Sequence, residues 1–191
     1  MQTAQEKLTS DLTILEAMAA EMDTYLMQDA LFWRMMGGGM PMLTLGGYLM
    51  RQHRLLALVD LLDDEEKGRL DTAVSQFNAA LVEKVVYFEQ KAITELDARL
   101  RQWSQYLSEA EWQDNSDYNH YPAAVETRAM LAALVDKLDE RPYQLPPRIL
   151  THLAQLDTLL RAHWLPGSFI WPDGLQPAYP QDDYWWLYGR P

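Results

Sequence analysis

The chain has 191 residues, 48% of them apolar and 23% charged, and it carries no cysteine. That is enough chain and enough apolar side chain for one domain with a real core, and the missing thiols exclude disulfides, thiolate zinc sites, iron–sulfur clusters and a cysteine nucleophile. With 16 basic residues against 28 acidic ones, the net charge of −12 lacks the positive footprint that phosphate backbones and anionic lipid require, so nucleic acid and membrane are not expected partners.

The first segment places Leu8, Leu12, Leu15, Met18, Met22 and Leu26 at steps of three and four, one stripe of an amphipathic helix. Thr3 three residues before Glu6 reads as a capping box at its start. Acidic residues interrupt the segment where a secretory signal needs an apolar core, and a cytoplasmic protein is the default expectation. The stripe extends on paper through Leu31, Trp33 and Met36.

Residues 34–54, RMMGGGMPMLTLGGYLMRQHR, then interrupt the pattern. The uncharged run Met35–Met50 is 16 residues long, short of the roughly 20 needed to span a bilayer. A phosphate-binding loop would need a strand before the glycines and a lysine behind them; neither is present. Eight of the ten methionines fall between Met18 and Met50 and offer soft thioethers to a metal such as Cu(I), yet methionine is equally the adaptable filler of irregular cores. The economical expectation is a joint: Gly37–Gly39 and Pro41 end the first helix and reverse the chain. Gly46 and Gly47 then permit a close approach at the start of the second helix. A methionine-lined joint is also an adaptable binding surface, which makes Met35, Met36, Met40 and Met42 candidate partner- or ligand-binding residues.

A second stripe runs through Leu45, Leu49, Leu55, Leu56, Val59 and Leu62, and Asp63 with Glu66 forms another capping box. From there one long helix is predicted, its core face being Leu70, Val74, Phe77, Leu81, Val85, Phe88, Ala92, Leu96, Leu100, Trp103 and Leu107. Its mean step is close to that of a straight helix rather than a coiled coil. Ser108 and Glu111 suggest a restarted turn. Glu16 and Asp23 on the first helix, and Lys84 and Lys91 on the long one, are each seven apart and suited to pairing across neighbours. The stretch QDNSDYNHYP (113–122) reads as a polar loop, with Pro122 in the first turn of a fourth helix whose face is Val125, Ala129, Ala132, Val135 and Leu138. Pro146 and Pro147 open a fifth, with Ile149, Leu153, Leu156, Leu160 and Trp164.

Beyond Leu165 the helical period stops; residues 166–191 hold five of the ten prolines and three of the seven tryptophans. The predicted fold is all-α: an antiparallel bundle of about five helices over 1–165, followed by an extended tail over 166–191 that packs on the bundle or on a partner subunit. Free aromatic rings would expose a large apolar area, so Trp171, Tyr184, Trp185 and Trp186 join the candidate partner-binding residues.

No Glu-x-x-His pair, no H-E-x-x-H and no G-x-S-x-G occurs, and the four histidines have no ligand spacing. No catalytic residue, metal site or cofactor is assigned. The expectation is a non-enzymatic protein that associates with itself, as a homodimer, or with a protein partner. The second expectation is a bundle binding a small apolar ligand or soft metal in a methionine- and aromatic-lined pocket, with enzymatic use left open.

Overall fold

The structure, a computed structural model, describes residues 3–109 and 115–191. It is all-α, with seven helices among those residues and little strand. Helix α1 spans Ala4–Leu26 and opens with the reciprocal Thr3–Glu6 capping box expected from the sequence. Its stripe of Leu8, Leu12, Leu15, Met18, Met22 and Leu26 is buried.

α1 stops at Leu26, eleven residues before Gly37, so the predicted extension through Leu31, Trp33 and Met36 does not form. Tertiary donors capture the carbonyls that a longer helix would use itself. Lys91 Nζ donates to the carbonyls of Gln28 and Ala30 at 2.7 and 2.9 Å, and the Tyr25 hydroxyl donates to that of Leu31 at 2.7 Å. Trp33 and Leu43 then exchange two backbone hydrogen bonds, pinching off the loop 34–42. Within it Gly37 and Gly39 have φ of 116° and 80°, left-handed values that glycine adopts without strain. The glycines therefore reverse the chain but do not end the helix.

Helix α2, Leu45–Ala57, is capped by Thr44 Oγ1, which accepts from the Gly47 N–H at 3.0 Å. A short 3₁₀ turn at Val59–Leu61 leads to α3, Asp64–Glu83, opened by the Asp63–Glu66 capping box. The single long helix of the sequence reading is two: α3 ends at Glu83 and α4 runs from Val85 to Glu109, with Lys84 between them at φ −129°, ψ 39°. The apolar stripe continues across the break, its members buried except for the half-buried Val74 and Val85. Periodicity alone therefore cannot reveal the break. It lets α3 lie along α1 while α4 packs on α6 and α7.

Helix α5, Asn115–Ala124, replaces most of the predicted polar loop, and Pro122 lies inside it rather than in the first turn of the next helix. A tertiary contact outweighs the turn-forming composition: Tyr121 is wholly buried and its hydroxyl donates to the Trp186 carbonyl at 2.7 Å. Helix α6 is Glu126–Asp139, and its buried face includes Leu131 and Leu134, while Ala132 and Val135 lie at its margin. Helix α7, Pro147–Arg161, starts at the expected proline pair. The suggested turn at Ser108–Glu111 lies partly outside the described residues.

The tail leaves and returns at one point. Strand β1 (Leu165–Pro166) pairs antiparallel with β2 (Gly189–Arg190), and between them run two 3₁₀ turns, Asp173–Ala178 and Trp185–Leu187. The segment thus forms a closed flap, which packs on α1 and α2 and buries Leu175, Tyr179, Trp186, Leu187 and Tyr188. Among the described residues no helix is long and apolar enough to cross a membrane.

Candidate functional site

Three parts of the surface and one buried seam contain the chemistry. The seam joins the tail to α1 and α2. Asp11, with no exposed surface, pairs with Arg54 and lies 3.1 Å from Lys7 and 3.3 Å from Arg51. Arg54 Nε donates to the Tyr179 hydroxyl oxygen at 3.0 Å, and its guanidinium carbon lies 5.2 Å from the Trp171 ring centroid. Burial pushes the Tyr179 phenol above its ordinary pKa, and the adjacent Arg54 opposes the rise. Charges this deep stabilise only when paired and hydrogen-bonded. All of these are paired, and Arg54 is hydrogen-bonded to both Asp11 and Tyr179, whereas Asp11 Oδ1 and Arg51 Nε make ion pairs without a hydrogen bond. The set fastens the flap to the bundle.

The same seam accounts for the tail aromatics. The Trp171 indole N–H donates to the Pro122 carbonyl at 2.9 Å. Trp186 is fully buried, with the Arg128 guanidinium 5.0 Å from its ring centroid. Trp185 is half-buried under Arg161, 3.7 Å from guanidinium carbon to centroid, and meets Trp164 edge to face. The hydroxyl of Tyr184 lies 3.3 Å from His53 Nε2, which also contacts the Ala178 carbonyl at 2.8 Å. These side chains are engaged within their own chain.

The methionines are not gathered. Met18, Met22 and Met35 are buried in the core, whereas Met36 is 88% exposed, Met42 is exposed, and Met40 is half-buried. Met40, Gly38 and Gly39 form one wall of an open groove of about 560 Å³ whose other wall is the Thr9, Thr13 and Ile14 side of α1. Among the described residues no group of three or more histidines, aspartates or glutamates is arranged to hold a metal ion.

A third region is a polar cleft of about 440 Å³ lined by Arg128, Asp136, Asp183 and Tyr184. Arg128 is already held by Asp157 through two hydrogen bonds of 2.9 Å. Partial burial pushes the Asp136 carboxyl above the ordinary aspartate value, with His53 opposing and Asp183 adding to the rise. Among the described residues no serine or threonine hydroxyl lines this cleft.

The fourth region is a shoulder at the junction of α3 and α4, and sequence reasoning missed it. Val82 is 78% exposed and Val86 62%, one turn apart across the Lys84 break; Tyr87 and Met27 are about half exposed. Met27 and Tyr87 face each other across a depression of about 230 Å³ between the end of α1 and the flank of α4. Lys84, in the break, ties the junction to α1 by pairing with Asp23, and it also lies 3.7 Å from Glu83. The available signal was the stretch LVEKVVYF (81–88), whose apolar residues outnumber what one buried helix face can take. Of them Leu81 and Phe88 are buried and Val85 is half-buried, while Val82, Val86 and Tyr87 face water.

The fold and the seam define the class: an all-α bundle completed by its own C-terminal flap. Compared with known proteins, the chain matches no family model, no curated protein and no solved structure.

Proposed function

We propose that this protein acts by binding another protein through the shoulder formed by Met27, Val82, Val86 and Tyr87, without catalysing a reaction, in a cytoplasmic setting that suits a cysteine-free chain. One observation carries the reading: Met27 and Tyr87 line one depression with about half of each side chain exposed, and Val82 and Val86 are exposed on either side of the neighbouring Lys84 break. Exposed apolar residues scattered singly need no explanation, whereas grouped ones rimmed by polar residues mark interaction surfaces. The tail aromatics support association poorly, since Trp186 is fully buried and Trp171, Tyr184 and Trp185 are partly buried in contacts with their own chain. The test is native mass spectrometry of the purified protein beside a Val82→Ser/Val86→Ser variant. A protein companion or second subunit lost in the variant is expected; companions retained equally by both would defeat the reading.

A second reading rests on the groove between α1 and the glycine loop. Its volume suits a small molecule, and Met40 and Ile14 give it apolar walls for an apolar ligand. A co-purified small molecule at one per chain, displaced by Met40→Glu, would favour it over the shoulder.

A further inference from the structure

We infer that the groove between α1 and the glycine loop receives an uncharged aromatic molecule bearing one polar group, and that residues 37–42 close over it as a lid; the inference rests on the second reading above. The two walls differ in kind. One is the stretch of α1 carrying Thr9, Thr13 and Ile14, and the other is Gly38 and Gly39 with the side chain of Met40. The space between them, about 560 Å³, falls within the range of small-molecule pockets.

The lining selects the ligand. Among the described residues that line the groove none is a lysine, arginine or histidine, and Glu6 alone is charged. An anion laid there would meet a carboxylate and find no cation to offset its lost hydration. A cation gains little, because Glu6 Oε2 already accepts from the Thr3 N–H at 2.8 Å in the capping box, where the carboxylate offsets the positive end of the helix. An uncharged ring finds better partners: Met40 and Ile14 are both half-buried, and a thioether packs favourably against an aromatic edge. Two hydroxyls are already spent, Thr9 Oγ1 donating to Glu66 and Thr13 Oγ1 to the Thr9 carbonyl, each at 3.1 Å. The Gln5 amide and the Ser10 hydroxyl also line the groove and hydrogen-bond to none of the described residues. They are left for one polar group of the ligand.

The loop is fixed at its ends and free between them. Glu21 on α1 accepts from the Trp33 indole N–H at 2.7 Å and from the Met36 N–H at 3.3 Å, and Trp33 is tied to Leu43 by two backbone hydrogen bonds. Between those anchors no backbone group of residues 37–42 hydrogen-bonds to a described residue outside the stretch. A Cβ added to Gly38 or Gly39 would find nothing within 4 Å, so the span has room to move. Met40 is half-buried and Met42 is 45% exposed. Laying these side chains on a bound ring withdraws apolar surface from water, a gain made only when the ligand is present, which is what shifts the loop toward closure.

The experiment uses the full chain and two fluorescent dyes, neutral N-phenyl-naphthylamine and its sulfonated, anionic analogue. Each is titrated into the wild type, Met40→Glu and Val82→Ser/Val86→Ser, and amide hydrogen exchange over residues 37–42 is read with and without saturating neutral dye. The neutral dye is expected to bind the wild type about ten-fold more tightly than the anion, to bind Met40→Glu about ten-fold more weakly, and to bind the valine variant as it binds the wild type. Exchange over the loop is expected to slow about three-fold when the neutral dye is bound. Equal or tighter binding of the sulfonate, still weakened by Met40→Glu, overturns the ligand class. Unchanged loop exchange with the dye in place overturns the lid. Either result leaves the groove reading intact. Neutral dye held equally by the wild type and Met40→Glu, or lost in the valine variant, is bound elsewhere on the protein, and the groove reading falls with the inference. Both fall as well if neither dye binds.

Discussion

Arg54 and Tyr179 are 125 residues apart in sequence, yet the Nε of one donates to the phenol oxygen of the other at 3.0 Å inside the protein. The pair holds the tail onto α2, and the same guanidinium neutralises Asp11 on α1. Tyr179→Phe removes one hydrogen bond to a charged group and is expected to cost about 1.5–3 kcal/mol. Arg54→Leu leaves Asp11 buried with only its two more distant cations and is expected to cost more, about 3–5 kcal/mol. Urea denaturation of both variants measures this, and a larger loss from Tyr179→Phe would mean that the hydroxyl, not the buried carboxylate, dominates the seam.

Two glycines separate packing from freedom. A Cβ on Gly46 would lie 2.7 Å from Glu95 Oε1 and 3.0 Å from Met130 Cβ. That carboxylate accepts from the Leu45 and Gly46 N–H groups at 2.8 and 3.0 Å, where it caps α2 while paired with Arg99. Gly46→Ala is therefore expected to destabilise by about 1–3 kcal/mol despite alanine's better helix propensity. Gly38 has neither a positive φ nor any neighbour within 4 Å of an added Cβ, so Gly38→Ala is expected to be neutral or to stabilise by up to about 1 kcal/mol. Thermal melts of the two variants should move in opposite directions or leave the second unchanged.

Asp136 gives a pH dependence with a defined sign. Its folded-state carboxyl is raised, chiefly by burial. As pH climbs past the unfolded aspartate value the folded protein keeps the proton longer, so stability falls with rising pH until the folded carboxyl has also ionised. Asparagine mimics the protonated form. Asp136→Asn is expected to melt above the wild type at neutral pH and to match it below the unfolded aspartate pKa. A difference that persists unchanged at acidic pH would assign the effect to packing.

Local rules carried much of the fold. The capping boxes at Thr3–Glu6 and Asp63–Glu66, the proline pair at α7 and the buried stripes follow from side-chain chemistry within one or two turns, so the sequence displays them directly. The early end of α1 depends on Lys91, more than sixty residues away, and the helicity of Tyr121 accompanies a contact with Trp186. Neither partner is nearby in the sequence. The pairing expected of Glu16, Asp23, Lys84 and Lys91 was half legible: Asp23 does meet Lys84, but Glu16 is held by Arg69 and Lys91 turns to backbone carbonyls. The shoulder was obscured for a different reason. An unbroken stripe from Leu70 to Leu107 assigns Val85 to the core and gives no indication that Val82 and Val86 stand exposed on either side of a break.

The flap itself gives the sharpest test of how the bundle is held together. Leu175, Tyr179, Trp186 and Leu187 are all essentially without exposed surface, and each large apolar side chain withdrawn from water contributes about 1.5–3 kcal/mol. Together they approach the whole net stability of an ordinary domain, about 5–15 kcal/mol. Ending the chain at residue 165 also strips Arg54 of Tyr179 and leaves the Tyr121 hydroxyl without its acceptor. A truncated protein is therefore expected to lose its cooperative thermal transition while retaining part of its helical circular dichroism, because the α1–α3 and α4–α6 contacts do not involve the tail. Val86→Ser, by contrast, alters only an exposed side chain and should melt within about 0.5 kcal/mol of the wild type. If the truncated chain instead melts as sharply as the intact one, the flap is an appendage and the buried arginine seam adds nothing to the stability of the helices beneath it.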